Sequence, residues 1–336
     1  MENSVPQFVS QTSGARRPLD VRRSLLAFLL LCAIASSLRA APERVRIGAY
    51  VTDLYDFNPS ANCYTVSMFV WTRHVSPRLH PLDTLEIKNA KSLSLGKVFE
   101  VPRNGEIWSQ RQVTAVIRYD WDLRHYPFDR HLLPLNLEEG EWDTSEVVYV
   151  ADAAQTRVDP ASTEDGWEMR GFHLATVPVR YPTTFGDPAL ASASSVFSRA
   201  TLTIKVERTQ IGIFLKLLLG AYVAFVLAMM TLRMDQPSLF STRMSVLVGA
   251  LFATLVNMRA TEGVLGRSPD FTLVDRLHLT IAFYILVAAF VGFVTRRLAE
   301  RDRKRAGERL DNVTLVAGVA SFVIVNAVLI VAAVRS

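Results

Sequence analysis

Polar and apolar positions follow different rules in the two halves of this chain. Between residues 45 and 208, short runs rich in β-branched and aromatic residues are separated by Pro, Gly, Asn and Asp. The runs cover residues 45–51, 64–72, 112–119, 131–137, 146–150, 167–179 and 200–207. That rhythm predicts an all-β antiparallel sandwich, immunoglobulin-like in architecture, with no helix longer than a turn or two. After residue 210 the pattern changes to four long apolar segments, at 211–232, 241–260, 277–295 and 313–334. The first reaches about 33 Å at roughly 1.5 Å per residue, enough to cross a bilayer. The expected architecture is therefore a β domain at 41–209 and an all-α four-helix transmembrane domain at 210–336.

The second apolar segment differs from the other three, which are apolar around their whole circumference. It opens with Ser241, Thr242 and Arg243, carries Ser245, Gly249, Thr254 and Asn257, and closes with Arg259 and Glu262. In a helix, Ser245, Gly249, Phe252, Val256 and Arg259 share one face. Repeated around a symmetry axis, that face would line a pore with an apolar constriction at Phe252 and Val256. The same residue types also suit a packing helix that uses small and hydroxyl side chains between neighbours.

Charge adds direction. The formal net charge is +5, but residues 42–209 hold 18 Lys and Arg against 22 Asp and Glu, a net of −4. The basic excess thus sits in the N-terminal segment and around the apolar segments, which argues against nucleic acid as a partner. Arg296, Arg297, Arg301, Arg303, Lys304, Arg305 and Arg309 crowd the expected loop at 296–312, and Arg233 and Arg243 flank the link before the second segment. By the positive-inside rule both lie in the cytoplasm, which puts the β domain and the C-terminus outside. Upstream, Arg22 and Arg23 precede an apolar run at 25–34 and the small residues Ala35, Ser36, Ser37 and Ala40. This predicts a signal peptide and leader over 1–40, with an uncleaved anchor helix as the alternative; either one exports the β domain. The two cysteines, Cys32 and Cys63, make no disulfide framework. With no nucleophile elbow, P-loop or zinc motif, the sequence predicts neither an enzyme nor a bound cofactor or metal.

With that architecture expected, one string becomes informative: Asp122, Leu123, Arg124, His125, Tyr126, Pro127, Phe128, Asp129 and Arg130. It resembles the signature loop of the pentameric ligand-gated ion channels, the Cys-loop receptor superfamily. Tyr119 and Leu133 stand where animal members carry the bracketing cysteines, so the likeness is to the bacterial branch. Further matches come in the same order along the chain: residues 47–51 with the first strand, Trp71 with the end of the second, and Gly166, Trp167 and Glu168 with the strand entering the distal hairpin. Arg208 matches the arginine before the first helix, and residues 268–272, with Pro269, the loop between helices 2 and 3.

The resemblance implies a homopentamer in a bacterial inner membrane, opened by a small-molecule agonist or protons and passing inorganic ions. It implies a pore lined by Ser245, Gly249, Phe252, Val256, Arg259 and Glu262, with Arg243 at the cytoplasmic mouth. It implies coupling through Tyr126, Pro127, Phe128, Asp129, Arg208 and Pro269, including an Asp129–Arg208 ion pair with Asp53 or Asp56 nearby. The acidic ring of cation-selective members is replaced by Ser241 and Thr242, and the proline–alanine pair of anion-selective members is absent, so no ion is implied. The usual proline of the first helix is missing, with Gly220 near its place. For the agonist, position carries over Trp142 in the loop after the signature turn, Tyr181 and Phe185 at the hairpin tip, and the neighbourhood of Glu86 and Asn89. Glu138, Glu139, Glu141, Asp143 and Glu146 surround Trp142 with no basic residue between them. Aromatic rings beside carboxylates suit an organic cation, while the same carboxylates also suit protons, weak calcium binding or a solvated acidic loop. A non-conducting membrane-anchored receptor or sensor for such a ligand is the competing function.

Overall fold

The computed structural model describes residues 41–186, 188, 194–209, 211–234, 236–265 and 270–335. The expected leader at 1–40 and Pro269 lie outside the described residues. Eleven strands come first: β1 (Glu43–Asn58), β2 (Cys63–His74), β3 (Leu85–Ile87), β4 (Ala90–Leu95), β5 (Phe99–Arg103), β6 (Glu106–Arg118), β7 (Arg130–Asp143), β8 (Val147–Ala151), β9 (Arg157–Val158), β10 (Trp167–Tyr181) and β11 (Ser195–Arg208). They build a seven-stranded sheet in the order β4-β6-β2-β1-β8, with β5 on β6 and β9 on β1, and a four-stranded sheet β10-β11-β7-β3. Alternation explains the long strands. In β2, Tyr64, Val66, Met68 and Val70 are buried while Ser67, Phe69, Trp71 and Arg73 are half-buried on the other face.

The expectation of a purely antiparallel sandwich is corrected at one edge, where β8 and β9 both run parallel to β1. The chain leaves β7 through a tight turn in which Ser145 N and Oγ both donate to Asp143 Oδ1, at 2.7 and 2.5 Å. It then joins the other sheet beside β1. An aspartate that caps its own turn in this way fixes local geometry and is no longer a free carboxylate.

Four helices complete the fold: α1 (Ile211–Met230), α2 (Phe240–Leu265), α3 (Leu273–Glu300) and α4 (Lys304–Arg335). All four are long and apolar enough to cross a membrane. α2, α3 and α4 outrun the apolar segments that predicted them, while α1 stops two residues short of its segment. α3 begins at Leu273 because Thr272 and Asp275 form a reciprocal capping box. The expected loop at 296–312 shrinks to residues 301–303, with the turn made by Asp302 at φ 57°. Arg, Lys and Glu are good helix formers, and the Arg296–Glu300 pair at 3.0 Å supports the last turn of α3, so the helices continue past the apolar stretch.

One apolar cluster runs from the sandwich into the nearer ends of the helices. It includes Leu133, Leu135 and Trp167 of the strands together with Phe214 and Leu218 of α1, Leu273, Val274 and Leu277 of α3, and Ala333 of α4. A second cluster fills the bundle interior, where Phe225 of α1 stacks on Phe322 of α4 at 3.7 Å between centroids. Polar ties fix α4 in rotation: Tyr222 Oη donates to Asn326 Oδ1 at 3.1 Å, and Tyr284 Oη to Ser321 Oγ at 2.8 Å.

Candidate functional site

Where the sandwich meets the helices, the loop before β7 is clamped to the last residue of β11. Arg208 Nε lies 3.0 Å from Asp129 Oδ1 and its Nη2 lies 3.3 Å from Oδ2, while the Arg208 backbone N–H donates to the Asp129 carbonyl at 3.2 Å. The guanidinium is sandwiched by aromatic rings, 4.1 Å from Trp167 and 4.9 Å from Tyr126. Both charges are thus desolvated together and held in one geometry. One residue earlier, the Phe128 ring sits 5.3 Å from Phe214 in the first turn of α1. Across the same junction, the charge of Asp270, in the link between α2 and α3, acts on Arg124.

The third member of the clamp is His131, not Asp53 or Asp56. Its Nε2 is 2.7 Å from Asp129 Oδ2, and its ring is buried edge-on to Tyr119 and Trp121. Asp53 is exposed, and Asp56, at φ 52°, accepts from Thr65 Oγ1 and takes Glu164 on its backbone N–H. Asp56 thus ties β1 to β2 and to the loop carrying Glu164. The sequence signal for His131 is its place two residues after Asp129, in the first residues of β7. Burial alone would raise the Asp129 carboxyl, but the bond to His131 and the Arg208 charge hold it below the usual carboxylate range.

In α2, Ser245, Gly249, Phe252, Val256, Arg259 and Glu262 are all exposed, with Phe252 68% accessible. The opposite face is buried: Arg243, Leu247, Ala250 and Thr254 pack into the bundle, where α2 meets α1 and α3. Arg259 Nη1 bridges to Glu262 at 2.9 Å. Arg243, expected at the cytoplasmic mouth, does not join the exposed stripe. Its guanidinium turns away from the exposed stripe and grips both carboxylate oxygens of Asp311 in α4, at 2.9 and 3.2 Å. Asn257, near the other end, donates to the Leu217 carbonyl of α1 and meets His278 Nε2 of α3 at 2.9 Å. Gly220 makes this close approach possible, since a Cβ there would stand 3.3 Å from Asn257 Oδ1. The region where the first-helix proline is missing is thus tied sideways by Asn257.

The candidate ligand residues divide. Tyr181, Phe185 and Phe197 cluster at the β10–β11 hairpin, with centroids 5.5 to 6.1 Å apart, and Phe185 is largely exposed. Trp142 lies inside β7 rather than in a loop, and packs on the sandwich core. Glu141 is exposed beside it. The acidic run is not a free acidic surface. Buried Glu138 takes Arg199 Nε at 2.7 Å, the Tyr181 hydroxyl at 2.6 Å and Lys88 at 3.6 Å, and buried Glu139 takes the Tyr149 hydroxyl at 3.0 Å. Glu86 pairs with Lys88 at 2.7 Å. Asn89 spends its amide on the Pro134 carbonyl and the Asn136 N–H of β7, so it staples strands rather than facing a ligand. Arg199 arrives from β11 through the register that sets it opposite Glu138, which the local sequence around Trp142 does not reveal.

A second aromatic surface lies on the other sheet. Trp71, Arg73, Trp108, Asp152 and Gln155 line a cleft of about 280 Å³. The Trp71 indole lies flat across Gly48, where a Cβ would stand only 2.4 Å from the ring, and its N–H donates to Asp152 Oδ2 at 3.2 Å. Arg103 sits 5.2 Å from the Trp108 ring. The pattern that could have found this surface is the outward side of β2, where Phe69, Trp71 and Arg73 recur at period two.

Among the described residues, no group of His, Cys, Asp and Glu is placed to hold a metal ion. No protein-family model matches the chain, and no curated protein matches it. The likeness to the pentameric channels therefore rests on the motif and on a two-sheet β domain followed by four helices.

Proposed function

We propose that this chain is the subunit of a homopentameric ligand-gated ion channel, in which a small-molecule agonist or protons acting on the β domain open a pore lined by α2. One observation carries the reading: α2 leaves unpartnered the face on which Ser245, Gly249, Phe252, Val256 and Arg259 recur, while its opposite face is buried. An apolar ring of Phe252 and Val256 closes such a pore by dewetting until the helices move apart or rotate. The Asp129–Arg208 clamp and the Phe128–Phe214 contact give the route for that movement, because they join the sandwich to the start of α1. In a ring of subunits, the Tyr181, Phe185 and Phe197 cluster of one subunit faces the Trp71 and Trp108 cleft of the next, and the agonist lies between them. Because Glu138 and Asp152 have cationic neighbours of their own in Arg199 and Arg73, these sites do not demand a cationic agonist.

One feature favours a second reading, a receptor that binds without conducting: Arg259 stands in the stripe and is countered by Glu262 three residues on. The two are separated by measuring subunit number and conductance together. A pentamer that carries current in a planar bilayer supports the channel. A pentamer silent under every ligand and pH, or a stable monomer, rejects it.

A further inference from the structure

The link between β2 and β3, residues 75–84, forms a strap over the end of the sandwich where β2 stops. Leu79 and Leu82 plug into the core cluster, and polar ties hold the rest down. Glu43 of β1 accepts the backbone N–H groups of Val75 and Ser76 at 2.6 and 3.2 Å, and Arg111 of β6 donates to the Leu82 carbonyl at 2.6 Å. His80 Nδ1 of the strap lies 3.5 Å from Glu100 of β5, which also accepts from Ser109 Oγ at 2.9 Å.

Against this strap lies His74, the last residue of β2, only 1% exposed. Neither of its ring nitrogens has a hydrogen-bond partner among the described residues, and neither has Thr72 Oγ1, two residues back on the same buried side. The closed strap thus seals a neutral imidazole's donor and acceptor away from water, a cost that opening relieves. Protonation adds a second N–H and a charge to the same sealed site. Burial holds the ring below the ordinary imidazole range; the Leu79 backbone, Glu100 and Glu43 pull the other way, and His80 adds to the lowering. Arg78 and Asp83 of the strap are exposed, and Arg73 points through the other side of β2 toward Glu106 and Asp152. The His80 contact has the opposite sign, because a charged His80 binds Glu100 more tightly and keeps the strap down in acid.

We propose that His74 is a proton-sensitive latch, which takes up a proton in mildly acidic solution by letting the 75–84 strap lift and admit water to the ring. The consequence reaches the candidate ligand site. The strap runs into β3, where Glu86 stands opposite Glu138 and the Thr84 carbonyl accepts from the Gly140 N–H at 3.1 Å. Lys88, just beyond, lies 3.6 Å from Glu138. Lifting the strap therefore slackens one wall of the cluster of Glu138, Tyr181 and Arg199. That last step rests on the proposed agonist site; the latch itself does not.

Hydrogen exchange of the full-length chain, read by mass spectrometry over residues 75–89 and corrected for intrinsic rates, tests the latch. An open imidazole titrates near pH ~6.5 and the closed one lower, so strap opening should rise by up to about tenfold between about pH 7.5 and about pH 5.5. His74→Phe, or the more adaptable His74→Met where a phenyl ring does not fit, should abolish the rise, whereas His80→Gln should keep it. Wild-type protection that is unchanged or greater at the lower pH overturns the proposal. So does a rise that survives in the His74 variants or disappears in His80→Gln. The readout needs neither agonist nor current, so a latch found in a silent protein supports the proposal while the channel reading fails.

Discussion

At the scale of single residues, the clamp at the domain junction makes the sharpest demands. Removing one member of a buried pair strands the other charge, so Arg208→Ala or Asp129→Ala should cost about 3–5 kcal/mol, read as a lowered unfolding midpoint of the purified protein. The sign of the pH dependence follows from Asp129. Its folded-state carboxyl lies below the unfolded value, so its contribution is complete above the unfolded value and is lost as pH falls through the folded one. The midpoint should therefore be insensitive to Asp129 from neutral pH down to about 5 and fall only below about 4, and Asp129→Asn should remove that part of the fall. If protons gate the protein in mildly acidic solution, Asp129 is not the group that senses them. Gly48 offers a second residue-level test. Gly48→Ala should lift the Trp71 indole from the sheet and break its bond to Asp152, at about 1–3 kcal/mol. The accompanying change in tryptophan emission should vanish when Trp71→Phe is added; an unchanged spectrum in Gly48→Ala would mean that Trp71 does not lie there.

At the scale of elements, α2 divides cleanly into a packed face and a free one. Asn257→Ala should cost about 0.5–2 kcal/mol through its bonds to α1 and α3, a loss that a midpoint measurement detects. Substitutions at Ser245 or Val256, on the free face, should leave the midpoint unchanged within error. This division was legible in the sequence because a helix with small and polar positions on one side keeps its period whatever it packs against. The longer strands were legible for the same reason. β4 and β5 were not, since each alternates over only two apolar residues, Leu93 and Leu95 or Phe99 and Val101, and leaves them exposed or half-buried, and β3 and β9 are too short to show a period. The α3–α4 corner was misjudged because hydropathy marks where lipid ends, not where a helix ends. Pairings set by sheet register, such as Glu138 with Arg199 and Arg73 with Trp108, leave no local trace in the chain.

At the scale of the whole molecule, the apolar cluster that passes from the sandwich into α1, α3 and α4 couples the two halves, and the Asp129–Arg208 clamp gives that coupling a direction. On this account a ligand works by shifting strands β7 and β11 against the helix ends, and α2 responds because it packs on α1 and α3. The central claim is that five copies of the α2 stripe enclose a pore closed at Phe252. Ion flux through the purified protein in liposomes, comparing wild type with Phe252→Ser under both cation- and anion-sensitive dyes, tests it most directly. Phe252→Ser should give ligand-independent flux above wild type, with the responding dye naming the ion. A folded pentamer that stays silent to both dyes in both forms would contradict it.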